Sequence, residues 1–216
     1  TNEDLRAIAG LYTETCQLVV RADSNIQTLD DLSGHTVSIG AEESGTERNA
    51  TQILEFAGMP SSLVATKNLD YIEATKELKA GDIDAFFCTA GLTTTVIDEL
   101  SKECDIRLIP LTDTVISKML ESSLAYTSEV IPAGTYTGQT TDINTIGVKS
   151  VLITKADVSD DTIEQLTSLL FEKENEISYS NSLKLELTYD FATDDIPIPF
   201  HDGAKRYYKA CGYSTN

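Results

Sequence analysis

Apolar residues in this chain gather into short runs and stripes separated by polar turns. Leu18-Val19-Val20, inside Cys16–Arg21, is a continuous apolar run of the kind that forms a strand covered on both faces. The preceding element, Leu5–Tyr12, fits either a helix or a strand. Thr28 with Asp31 three residues on predicts a helix start, and Gly34 its stop. A strand over Thr36–Gly40 then leads into a helix from Gly45 to Ala57. Its Ala50, Ile53, Leu54 and Ala57 share one face, and Gly58 and Pro60 prevent continuation. The alternation goes on with a weak strand Leu63–Ala65, a helix Tyr71–Ala80 closed by Gly81 and a buried strand Ile83–Thr89. A helix Leu92–Glu103, a strand Ile106–Ile109 and a helix Thr112–Glu121 follow. Strands alternating with helices over short loops predict an α/β fold built on a parallel sheet.

The rhythm breaks over Pro132–Thr145, which is rich in Gly and Thr and has no clear period. Beyond it come an extended apolar segment, Ile146–Thr154, and helical patterns over Ser159–Lys173 and Ser180–Leu187. The prolines of Ile196–His201 keep that stretch extended, and a short helix over Gly203–Ala210 follows. The block 23–145 therefore reads as one complete α/β lobe. The flanking pieces, 1–22 and 146–216, are too irregular to form a whole sheet by themselves.

Charge narrows the function. The 216 residues carry 35 acidic and 16 basic side chains, a net charge of −19. A surface this acidic repels phosphate backbones, which argues against a nucleic-acid partner. No apolar run approaches the roughly 20 residues of a membrane span. Thr1-Asn2-Glu3-Asp4 does not read as the start of a signal peptide, so for an exported protein the expectation is that the leader has been removed or was left out. The four cysteines, Cys16, Cys88, Cys104 and Cys211, form no CxxC pair. Cys16 and Cys88 lie in apolar strands, where a thiol acts as a small hydrophobe. Free thiols are favoured over the two disulfides that number alone would allow.

Enzyme signatures are missing: there is no GxSxG, GxxxxGK[ST] or HExxH. His35 and His201 are the only histidines, and both read as solvated structural residues. The acidic pairs Asp30-Asp31, Asp160-Asp161 and Asp194-Asp195 lack the ligand ladder of a calcium loop. A protein that is not an enzyme, with no cofactor and no metal, is the expectation.

Three segments offer binding chemistry. In Gly40-Ala41-Glu42-Glu43-Ser44-Gly45-Thr46-Glu47, a strand ends and a helix begins. The helix N-terminus offers free N–H groups and a partial positive charge, and Ser44 and Thr46 add hydroxyls, which together suit a carboxylate or phosphate. Ser44 with Glu47 is equally a capping box. The strand end Thr89-Ala90-Gly91 is small enough for a ligand to approach the backbone, or Gly91 simply makes the turn. Tyr136 is either an aromatic wall with a hydroxyl or a surface loop tyrosine.

With these motifs, the chain resembles the TAXI-type solute receptors of TRAP transporters over nearly its whole length. The resemblance is carried by Leu29-Asp30-Asp31-Leu32-Ser33-Gly34, Val37-Ser38-Ile39-Gly40, Ser44-Gly45-Thr46-Glu47, Gly81-Asp82-Ile83-Asp84-Ala85-Phe86-Phe87 and Ala90-Gly91. Further on, Ile131-Pro132-Ala133-Gly134-Thr135-Tyr136 and Pro199-Phe200-His201-Asp202-Gly203-Ala204 continue it in order. It implies a type II periplasmic-binding-protein fold, two α/β lobes with hinge crossings, of which lobe one is incomplete in this chain. It further implies an extracytoplasmic receptor, periplasmic or lipid-anchored, that captures a small organic acid or a glutamate-like amino acid for TRAP permease subunits. Ser44, Gly45, Thr46, Glu47, Thr89, Ala90, Gly91 and Tyr136 are the expected ligand-binding residues. Where such receptors commonly carry Pro-Gly, this chain has Glu42-Glu43. The alternative is a ligand-sensing effector domain of a regulator sharing the fold.

Overall fold

The computed structural model describes residues 4–181 and 185–215. The chain divides into two compact units, Glu14–Val148 and Thr1–Thr13 with Lys149–Asn216. Two long strands, β1 (Leu5–Arg21) and β7 (Ile143–Lys155), run from one unit into the other. The unit limits at Glu14 and Val148 lie outside the block 23–145 expected from the pattern. The reason is pairing: residues 15–21 of β1 bond to two strands of the larger unit and are integral to its sheet.

In the larger unit β1 is followed by a short 3-10 turn Asp30–Leu32, then β2 (Thr36–Ser38), α1 (Gly45–Phe56) and β3 (Ala65–Lys67). Next come α2 (Tyr71–Ala80), β4 (Ala85–Ala90), α3 (Thr95–Glu103), β5 (Ile106–Ile109), α4 (Asp113–Ser122) and β6 (Tyr126–Ile131). The sheet is open, in the order β3-β2-β4-β1-β7-β6, with β5 also on β1. β2 pairs in parallel with β3 and β4, whereas β1 is antiparallel to β4 and β5. The sheet is thus mixed rather than parallel. β1 precedes the alternating helix–strand units instead of belonging to one, so no crossover helix dictates its direction.

Period-two alternation along β1 feeds two cores. Cys16, Leu18 and Val20 pack with Val37, Ile53 and Phe87 on one face, while Val19 packs with Phe86, Ile97 and Leu108 on the other. The expected helix at Thr28 is only the 3-10 turn. Asp31 reaches back, and its carboxylate accepts from the N–H groups of Gln27 and Thr28 and from the Thr28 hydroxyl. These bonds hold its carboxyl below the usual range. β6 lies in a stretch to which the pattern assigns no element, and β7 starts at Ile143, inside the Pro132–Thr145 stretch without a period; the two strands are defined by their antiparallel pairing with each other, from Tyr126 opposite Val148 to Ile131 opposite Ile143.

The smaller unit contains α5 (Asp160–Glu172), α6 (Glu174–Asn181), α7 (Tyr189–Thr193) and α8 (Asp202–Ala210). The helix expected over Ser180–Leu187 is not formed at 185–187, and residues 182–184 of it lie outside the described residues. The core gathers Ala7, Ile8, Ala9, Ile163, Phe200, Ala204 and Tyr208, with the Tyr208 hydroxyl donating to the Ile8 carbonyl at 2.9 Å. His201 is buried rather than solvated. Its Nδ1 accepts the Gly203 N–H at 3.1 Å and caps α8. His35 is half-buried against Asp84 at 3.2 Å. Among the described residues no helix is long and apolar enough to cross a membrane, and no group of three His, Cys, Asp or Glu side chains is placed to hold a metal ion.

Two expectations follow. A Cβ at Gly203 would stand 2.2 Å from the Asp160 carbonyl oxygen and 3.0 Å from the Glu164 nitrogen, both backbone atoms of α5. Gly203→Ala should therefore destabilise by about 1–3 kcal/mol or more, read as a fall in urea midpoint. Gly45→Ala, where a Cβ meets nothing within 4 Å, is the control. All four cysteines are free, and burial pushes the Cys16 and Cys88 thiols up to about 12. An aromatic disulfide reagent at neutral pH should label the exposed Cys211 at once and reach Cys16 and Cys88 only on unfolding.

Candidate functional site

α1 begins where β2 has ended and the chain has turned through Gly40. Gly40 has φ 99°, and a Cβ there would meet Thr46 at 2.8 Å, so only glycine lets the loop lie against the helix start. Ser44 is the N-cap, and its side chain accepts the Glu47 N–H at 3.1 Å. The reciprocal half of the capping box is absent. The Glu47 carboxylate instead accepts the N–H of Glu43 at 2.6 Å and the amide of Asn68 at 2.8 Å. With Glu47 capped, the N–H groups of Gly45 and Thr46 are the ones left without an intrahelical acceptor. A full capping box occurs at the next helix, between Asp70 and Glu73.

This helix start opens onto a cavity of about 770 Å³ in the larger unit. Ser44, Gly45, Thr46, Thr89 and Ala90 line it. Glu47, Gly91 and Tyr136 are not among its lining residues. Tyr136 is 3% exposed; its hydroxyl donates to Gln17 Oε1 at 2.7 Å and accepts the Thr94 N–H at 3.2 Å. Burial pushes that phenol up to about 12. Glu42 and Glu43 are exposed and lie outside the cavity wall.

Ten of the lining residues escaped the sequence reading, among them the polar side chains of Arg48, Asn49, Gln52, Tyr71 and Tyr126 and the carboxylate of Glu14. A signal for them existed. Thr46, Asn49 and Gln52 recur every three residues beside the apolar stripe Ala50, Ile53 and Leu54, so they form a polar stripe on α1. Thr46 and Asn49 are only 5% and 7% exposed, and polar groups buried to that extent must find partners.

The partners are hydroxyls. The α2 cap sets Tyr71 at the first turn, and its hydroxyl accepts the Thr89 N–H at 3.2 Å and donates to the Thr89 carbonyl at 3.0 Å. Thr46 Oγ1 lies 2.6 Å from the same phenol oxygen. Since Tyr71 has one proton and the Thr89 carbonyl can only accept, the Thr46 hydroxyl is the donor in that contact. Thr46 therefore turns lone pairs, not a proton, toward the cavity. Ser44, which uses a lone pair for the cap, keeps its proton to donate. Burial pushes Tyr71 up to about 12. Farther along α1, Asn49 Nδ2 donates to Thr89 Oγ1 at 3.4 Å, and the Tyr126 hydroxyl is 3.0 Å from both Asn49 Oδ1 and Gln52 Oε1. Arg48 brings a guanidinium to the same wall.

The arrangement lines the cavity with hydroxyls, side-chain amides and one guanidinium-bearing residue. Tyr71→Phe should leave the Thr46 hydroxyl and the Thr89 N–H unpaired and destabilise the fold by about 1–3 kcal/mol in a urea titration. A loss under about 0.5 kcal/mol would show that this hydroxyl does not join α1, α2 and β4.

Comparison with known proteins gives a family. The model of the NMT1-like family matches residues 1–212. Among solved structures, the periplasmic aliphatic sulphonate binding protein SsuA from Escherichia coli is 15% identical, with 84% of this chain and 56% of that chain covered at TM-score 0.48. A mutant of ArgBP from T. maritima is 17% identical, with 83% and 62% covered at TM-score 0.45. Tv2483 bound to L-arginine is 18% identical, with 87% and 64% covered at TM-score 0.49. The chain thus spans less than two thirds of the length of each of these solved proteins.

Proposed function

The chain belongs to the NMT1-like family, and from that premise we propose that it is the solute-binding part of an extracytoplasmic receptor that delivers a small organic acid or amino acid to a membrane permease. The sequence resemblance to TAXI-type receptors makes that permease TRAP-type. The observation that carries the reading is the convergence of unlike groups on one cavity. The free N–H groups at the α1 start, the Ser44 proton and the Arg48 guanidinium attract an anionic group. Thr46 and Thr89 supply oxygens for a donor on the same molecule. In this reading Ser44, Gly45, Thr46, Thr89 and Ala90 keep the binding role expected of them, joined by Arg48, Asn49, Gln52 and Tyr126.

Native mass spectrometry of the whole protein, purified without denaturation, should find a small carboxylate retained. Arg48 is exposed and caps nothing, so Arg48→Gln leaves the melting temperature unchanged. It should weaken binding of the retained acid by about 10- to 100-fold, the loss of a hydrogen bond to a charged group. Unchanged calorimetric affinity in Arg48→Gln would remove the anionic half of the reading. A protein that retains and binds no small acid would remove all of it.

A further inference from the structure

Glu47, one of the expected ligand-binding residues, does not line the cavity. Its carboxylate is engaged elsewhere. Oε2 accepts the backbone N–H of Glu43 at 2.6 Å, and Oε1 accepts the side-chain NH2 of Asn68 at 2.8 Å. The same NH2 donates to the Gly40 carbonyl at 3.0 Å. Both of its neighbours, a carboxylate and a carbonyl, can only accept, so they allow the Asn68 amide a single orientation. The loop between β2 and α1 is thus tied at Gly40 through Asn68 and at Glu43 directly, and both ties meet at Glu47.

The loop needs such a tie. Glu43 has φ 62°, a left-handed conformation that a residue with a side chain adopts only at a cost. Ala41, Glu42 and Glu43 are exposed, so core packing does not hold them. Yet the loop leads into Ser44 and Gly45, which do line the cavity. Asn68 also brings in a second element. It follows β3 and stands three residues before Tyr71, whose hydroxyl lies 2.6 Å from Thr46 Oγ1. Successive residues of the first α1 turn are therefore tied to one segment, 68–71: Thr46 from its buried side and Glu47 from a more exposed one. Together the two ties fix the turn of α1 about its own axis, and with it the direction of the free Gly45 and Thr46 N–H groups.

We propose that Glu47 is a positioning residue for the solute cavity: clasped to Glu43 and Asn68, it holds the β2–α1 loop so that the Gly45 and Thr46 N–H groups face the anionic group of the solute. The inference rests on the reading of this cavity as the solute site. Charge and position predict opposite effects for this residue. By charge alone a carboxylate near an anion site repels the solute, so neutralising Glu47 would tighten binding. By position, neutralising it weakens binding. Gln at this place has one acceptor oxygen for two donors, so its own NH2 must face either the Glu43 N–H or the Asn68 NH2, and one tie of the loop is released.

The clasp and the affinity are read separately. In hydrogen-exchange NMR of the protein without solute, the Glu43 N–H should exchange slowly although its turn is exposed, and about tenfold faster in Glu47→Gln. Equal exchange in the two proteins would overturn the clasp. Calorimetry uses L-glutamate and succinate as probes, at a temperature where every variant is folded. Glu47→Gln should weaken binding about three- to tenfold. Asn68→Ala, which changes no charge, should weaken it by a similar factor, and the double variant should lose no more than either alone, because both residues act through one loop. Unchanged or tighter binding in Glu47→Gln, unchanged binding in Asn68→Ala, or losses that multiply in the double variant would each overturn the positioning role. If the wild type binds neither probe, the solute-site reading fails for these acids and the positioning role falls with it, while exchange at Glu43 still decides whether the clasp exists.

Discussion

The burial of β1 on both faces is the constraint on which the larger unit depends. A strand with helices on each side has no solvent face, so every second residue must suit a different core. Leu18 and Val20 meet one and Val19 the other. The polar members of the strand have to be satisfied internally. Gln17, 1% exposed, receives the Tyr136 hydroxyl at its Oε1, although its buried Nε2 finds no partner among the described residues, and the Cys16 carbonyl receives the Thr145 hydroxyl at 2.5 Å. Tyr136 is therefore held in the core, a role its Gly- and Thr-rich sequence surroundings do not betray.

The same rule explains why the cavity wall is built from hydroxyls and amides. α1 must bury one stripe in the sheet, and a second stripe, Thr46, Asn49 and Gln52, lies beside it where water is largely excluded. Each unpaired group there would cost about 1–3 kcal/mol. Tyr71 and Tyr126, which come from α2 and β6, supply the partners. The polar stripe is thus satisfied by hydroxyls from other elements, so the cavity wall is part of what holds α1, α2 and β6 together.

In the smaller unit the decisive contact is a close helix approach. Gly203 brings α8 against the α5 backbone, and His201 caps α8 from a buried position. Tyr208 and Phe200 pack edge to face at 5.8 Å, and Tyr189 stacks on Phe171 at 4.7 Å. The motif Pro199-Phe200-His201-Asp202-Gly203 is therefore a packing motif: an extended segment that bonds to Ala7, a cap, and a glycine at a crossing.

Local and strongly periodic features were legible in the chain itself. Tyr71–Ala80 and Ile106–Ile109 form as their patterns predict, and α1 starts at Gly45 behind its Ser44 cap, because caps, glycines and apolar stripes act within a few residues. Features that rest on distant partners were not. The direction of β1, the strand β6 and the true limits of the units follow from pairing between segments far apart in sequence. The cavity shows the division most clearly. Ser44, Gly45, Thr46, Thr89 and Ala90 could be picked out because strand ends and helix starts are recognisable locally. Whether the Thr46 hydroxyl gives or takes a proton depends on Tyr71, 25 residues away, and the partner of the Gln52 amide is Tyr126, 74 residues away. Hydrogen-bond direction belongs to a network of neighbours in space, and only the tertiary structure brings that network together.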